Sequence, residues 1–153
     1  MVPPNAERRQ RSPEEIKRLV DQFEDCTLDP ATFKHRDHLT VALWYEANNQ
    51  TAGASMKFRE TLLKFVDHYQ IKAYNETITL FWIYLVHDYY GSRPSGKSIP
   101  ELTENLIADY GDSKLIFDYY SKDHLMSDKG KNEWVEPDLK DLGFEVSQPE
   151  ITI

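Results

Sequence analysis

Apolar residues recur along this chain with a period near 3.6, which predicts helices through most of its length. Ile16, Leu19, Val20 and Phe23 fall at i, i+3, i+4 and i+7 behind Ser12-Pro13-Glu14-Glu15. That tetrapeptide is a capping box with proline at the first helical position. The stretch from His35 to Asn48 carries Leu39, Val41, Ala42, Leu43, Trp44 and Tyr45 around most of its circumference. A helix that is apolar nearly all round belongs at the centre of a fold. A third helix is predicted over 55–69, with Phe58, Leu62, Phe65, Val66 and Tyr69 on one stripe and Arg59, Glu60, Lys64 and Asp67 toward water. The fourth runs from near Asn75 to Tyr90, with Ile78, Phe81, Trp82, Leu85, Val86 and Tyr89 as its core face and Gly91 and Pro94 to end it. β-branched and aromatic residues crowd 77–86 and favour strand locally, but the length and stripe spacing of the segment favour helix.

Ser98-Ile99-Pro100-Glu101 is a second capping box, and Leu102, Leu106 and Ile107 carry that helix to Tyr110, where Gly111 caps it. A short helix is predicted over 115–120, then single turns over 121–126 and 128–134. Beyond Val135 the helical period is lost. Phe144-Glu145-Val146 allows a short strand, with nothing obvious to pair it. No repeat of fixed period is present. The expected fold is all-α: an irregular bundle of four main helices plus two or three short C-terminal ones. Residues 1–11 are expected as a flexible tail, 12–142 as a single helical domain, and 143–153 as a C-terminal tail.

Composition narrows the function classes. A chain of 153 residues buries enough surface to need no covalent staple. Its formal charge of -8 argues against nucleic acid, whose phosphates need clustered cations, and against an anionic membrane surface. No apolar run approaches the ~20 residues of a membrane span. Met1–Arg11 lacks the apolar centre of a secretory signal, so the cytoplasm is the expected address. The lone cysteine, Cys26, cannot form an internal disulfide and is read as packing rather than as a nucleophile.

Three places carry candidate chemistry. In His35-Arg36-Asp37-His38-Leu39 the two histidines share a helix face, and Ala42 and Glu46 continue the same arc. Two imidazoles with a carboxylate form a ligand set for zinc, iron or manganese, and the same groups serve as general acid and base. H-x-x-H alone is a weak signal, and polar residues gather at helix starts for capping, which also explains Asp37. In Tyr74-Asn75-Glu76-Thr77-Ile78-Thr79, at a helix start, Asn75 or Thr77 is the cap. The functional alternative turns Glu76 inward to face His35 and His38, with its pKa raised by an apolar pocket. In Trp134-Val135-Glu136-Pro137-Asp138-Leu139 the indole either anchors the tail, or the segment is a lid whose Glu136 or Asp138 reaches a pocket. Tyr119-Tyr120-Ser121 supplies phenols to a pocket or area to the core, and His68, His87 and His124 read as surface or packing. Gly91, Gly96, Lys97 and Ser98 match the P-loop spacing, but they follow a helix instead of a strand, so no nucleotide is expected there.

The run Phe33 to Leu39, the run Tyr74 to Trp82, Tyr119-Tyr120-Ser121 and the run Trp134 to Leu139 resemble, in that order, the motifs of a family of small uncharacterised bacterial helical proteins with no established activity. The resemblance covers about residues 20–142 and implies a helical fold but no reaction. The family pattern reads Tyr-His-Glu-Thr where this chain has Tyr74-Asn75-Glu76-Thr77. A third imidazole used as a ligand would thus be missing, and asparagine is a poor ligand for zinc or iron.

The leading expectation is one internal polar pocket. His35, His38 and Glu76 form its catalytic or metal-binding set, with Glu46 and Trp82 in support. Tyr74, Asn75, Thr79 and Tyr119 contact its occupant, and Trp134, Glu136 and Asp138 close it. The occupant is a small polar molecule handled by acid/base chemistry with a histidine as base, or a divalent metal. The alternative is a non-catalytic ligand-binding or protein-interaction module in which the same histidines and carboxylates are structural.

Overall fold

The computed structural model describes residues 10–49 and 53–146. Among the described residues seven α-helices run in order: α1 (Pro13–Glu24), α2 (His35–Asn48), α3 (Ala54–His68), α4 (Glu76–Gly91), α5 (Ile99–Tyr110), α6 (Lys122–Leu125) and α7 (Asp128–Asn132). Short 3-10 turns at Pro30–Thr32 and Ser113–Asp118 join them, the second standing where a short α-helix is expected. Among the described residues there is no strand, and no helix is long and apolar enough to cross a membrane. Both predicted capping boxes form: Ser12 and Ser98 accept from the N–H groups of Glu15 and Glu101, whose carboxylates reach back to the capping residues.

α2 is the central rod, packed on α1, α3, α4 and α5. Leu39, Val41, Leu43 and Tyr45 are each at most 1% exposed, the consequence of its apolar circumference. The rings of Phe23, Phe33, Phe58 and Phe65 form a cluster beside it, with centroids 5.2–5.8 Å apart. Asp37 fixes where α2 begins. It is buried, accepts from the Lys34 N–H at 2.9 Å, and takes a 2.5 Å ion pair from Arg11. The expected N-terminal tail is therefore pinned at its last residue, while residues 1–9 lie outside the described part.

The C-terminal segment is bolted to the start of α4. Asn75 accepts from the Ile78 N–H as the helix cap and donates its amide to the Leu125 carbonyl at 2.9 Å. Thr77 Oγ1 lies 2.6 Å from the Gly130 carbonyl and 2.9 Å from the Glu133 carbonyl, and accepts from the Val135 N–H at 3.3 Å. Tyr120 donates to the Val135 carbonyl at 2.7 Å. The chain from α6 onward has little apolar stripe of its own, so these bonds to otherwise orphaned backbone groups position it. The strand allowed at 144–146 does not form. Phe144 instead packs its ring 5.8 Å from Phe81, so this part of the expected C-terminal tail is docked on the core. The tail's residues 147–153 lie outside the described part.

Two substitutions test this joint. Thr77→Val keeps the side-chain shape and leaves buried backbone groups unpaired, which should lower unfolding free energy by about 1–3 kcal/mol in urea titration. In Gly130→Ala the new methyl would stand 2.6 Å from the Leu125 carbonyl oxygen and 2.8 Å from that of His124. Backbone cannot yield as a side-chain tip does, and a loss of about 1–3 kcal/mol is expected.

Candidate functional site

A cavity of about 290 Å³ lies between α2, α3 and α4. This is near the lower end of the ~300–1,000 Å³ typical of small-molecule sites. α2 contributes His35, His38, Leu39 and Ala42; α3 contributes Phe58, Leu62, Phe65 and Val66. α4 contributes Ile78, Thr79, Trp82, Ile83 and Val86, which repeat at helical spacing along one face. Pro30 and Phe33 close one end, and the connector carrying Ile71, Ala73, Tyr74 and Asn75 borders the other. Ala73 on this connector is exposed at the rim of the space.

The two imidazoles form the polar part of the wall. His35 Nε2 donates to the Tyr110 carbonyl at 3.1 Å, and its ring meets Trp82 edge-on with centroids 4.3 Å apart. His38 lies against the Phe33 ring, with centroids 4.1 Å apart. Burial pushes the His38 pKa down to about 4; its neighbour His35 reinforces this, while Asp37 and the Phe33 backbone oppose it. Burial also lowers the His35 pKa, against the Tyr110 carbonyl and Asp112. Both rings are thus neutral near pH 7. A neutral imidazole that donates through one nitrogen presents the other as an acceptor.

Three further polar side chains on the wall, Asn75, Thr79 and Tyr74, are paired within the protein. The Asn75 amide is held by Leu125 and Met126, and the Thr79 hydroxyl donates to the Asn75 carbonyl at 2.9 Å. The Tyr74 hydroxyl donates to Glu76 at 2.6 Å, and burial followed by that carboxylate pushes its pKa up to about 12.

Glu76 does not face the histidines. It stands outside the cavity lining and takes a forked ion pair from Arg59, with contacts of 2.6, 3.0 and 3.2 Å. The forked guanidinium matches a carboxylate better than an imidazole edge can, so α3 captures the acid that α2 was expected to meet. Arg59 is the residue the sequence pattern missed, because it lies on the polar flank of its stripe. Glu46 also turns away. It accepts from Ser55 at 2.6 Å and pairs with the exposed His87 at 3.1 Å. Among the described residues no three histidine, cysteine, aspartate or glutamate side chains gather as a metal site requires, so the set His35, His38 and Glu76 is not assembled.

The expected lid is an anchor. Trp134 packs edge-on against Tyr84 and Tyr120 and donates to Glu136 at 3.1 Å. Asp138 accepts from the Ser121 N–H and hydroxyl at 2.8 and 2.6 Å, and that pair holds it below the usual carboxylate range. Tyr119 lies on Phe81 at 5.5 Å with Lys140 over its face. None of these four lines the cavity. Of the expected contact residues, Tyr74, Asn75, Thr79 and Trp82 do. No protein-family model, no curated protein and no solved structure matches this chain.

The lowered histidine pKa values carry a sign that stability measurements can read. An unfolded imidazole protonates near pH ~6.5, while the folded His38 resists protonation until about pH 4. Between those values the unfolded state binds more protons, so folding should weaken steadily as pH falls from 6.5 toward 4, by up to about 3 kcal/mol. Urea titrations across this range should show the slope in the native chain and a shallower one in His38→Phe.

Proposed function

We propose that this chain binds a small molecule in the cavity between α2, α3 and α4 and performs no chemistry on it. The observation that carries this reading is the cavity wall: apolar side chains from three helices, interrupted by two uncharged imidazoles, with no carboxylate among the described lining residues. A mostly apolar concavity with a few convergent polar groups is the usual form of a ligand site.

Acid/base catalysis fits the wall less well. A general base works best with a pKa near the working pH. His38, held down to about 4, is a weak base at neutrality, and no carboxylate among the described lining residues strengthens it. The expected carboxylate partner is taken by Arg59. The same imidazole serves well as a hydrogen-bond acceptor, because acceptance needs only the neutral form.

The test uses methyl-resolved NMR of the native chain titrated with 4-ethylphenol. Saturable shifts are expected at Leu39, Leu62, Val66 and Ile78, with resonances of the exposed Leu139 unmoved. Two variants should abolish them: Ala42→Phe, which fills the space from α2, and Ala73→Trp, which covers the exposed rim with little risk to folding. Shifts that persist in both variants, or that spread over the surface, would contradict the reading.

A further inference from the structure

The class of occupant follows from the absence of charge on the wall and from the size of the space, and the inference rests on the binding role proposed above. None of the described lining side chains is a carboxylate, an ammonium or a guanidinium. The two carboxylates next in sequence to lining residues are engaged elsewhere: Asp37 pairs with Arg11, and Glu76 takes the fork of Arg59. The lining groups that can ionise stay neutral near pH 7. Burial keeps the rings of His35 and His38 unprotonated, and burial together with Glu76 keeps the Tyr74 phenol protonated. The polarity of the wall is therefore that of uncharged groups, and the rest is the apolar surface of three helices. The volume of about 290 Å³ is roughly twice the ~150 Å³ of an apolar cavity that holds one benzene ring.

We propose that the cavity holds an uncharged, apolar molecule of about two fused rings, selected by the apolar area it buries and by its lack of charge, with no obligatory hydrogen bond. An occupant bearing a formal charge sheds its water and meets no lining group of opposite sign, a cost that falls on anions and cations alike. A single benzene ring leaves part of the apolar wall uncovered and forgoes the transfer free energy of that area. Flat aromatic surface suits the space, because Phe33, Phe58, Phe65 and Trp82 flank it. A neutral hydroxyl is tolerated beside the uncharged rings of His35, His38 and Trp82, while the apolar body supplies the affinity.

The test compares five probes on the native chain near neutral pH by the same NMR titration: naphthalene, 2-naphthol, benzene, 2-naphthoate and 2-naphthylmethylammonium. Naphthalene is expected to give saturable shifts at the cavity methyl groups, with 2-naphthol within about tenfold of it in either direction. Benzene should bind roughly tenfold or more weakly, as the smaller buried area requires. The naphthoate and the ammonium probe, which share the bicyclic body, should each also bind roughly tenfold or more weakly than naphthalene. Either charged probe matching naphthalene would overturn the exclusion of charge while leaving the binding role intact. Benzene matching naphthalene would overturn the size rule. A naphthol more than about tenfold tighter than naphthalene would overturn selection by apolar area, since a hydrogen bond would then decide the affinity. Failure of all five probes to reach the cavity methyl groups would overturn the binding role itself.

Discussion

The energetic constraint that shapes this molecule is the burial of an imidazole that cannot afford a charge. His38 sits half-buried on the central rod, against Phe33 and among the apolar side chains of the cavity wall. Solvation loss outweighs the nearby Asp37, so the ring stays neutral. Asp37 offsets little because its own charge is taken up elsewhere, by Arg11 and by the first N–H of the helix start. A charged His38 would turn the cavity into an anion site. A neutral one keeps it an apolar space.

That space persists because both of its ends are held by polar bonds distant from it. At one end, Arg11 and Asp37 set the start of α2 and hence the position of the two rings. At the other, Asn75 and Thr77 tie the start of α4 to the chain between Leu125 and Val135, while Arg59 locks Glu76 and, through it, Tyr74. Helices fixed in this way cannot simply collapse onto the gap between them, which is how an unfilled volume survives in a close-packed interior. The polar residues that look most like catalytic machinery in the sequence thus build the frame of the cavity and do not work inside it.

How far the sequence was readable follows from the range of the forces involved. Helices were legible from local periodicity and caps: the boundaries of α2 match its pattern, and Ser12 and Ser98 cap as their motifs require. That His35 and His38 line one space was also legible, since residues three apart share a face. The partner of Glu76 was not. It is decided by competition between Arg59 and the imidazoles across different helices, and linear spacing carries no trace of which side chain arrives. Trp134 and Asp138 read equally as lid or anchor because a proline-rigid segment has the same pattern in either place. Only Tyr84, Tyr120 and Ser121, brought near by folding, settle it as an anchor. The apolar lining was legible as core but not as cavity, because a stripe records which side chains turn inward and not how completely they fill the interior.

The protonation state of His38 can be observed directly. Nitrogen-detected NMR of ring-labelled protein, followed from pH 8 to pH 4, reports both the pKa of that ring and which nitrogen carries the proton. A single neutral tautomer that persists to near pH 4 is the predicted result. A ring that titrates near pH ~6.5, as in open water, would contradict the picture of a neutral ring in an apolar wall.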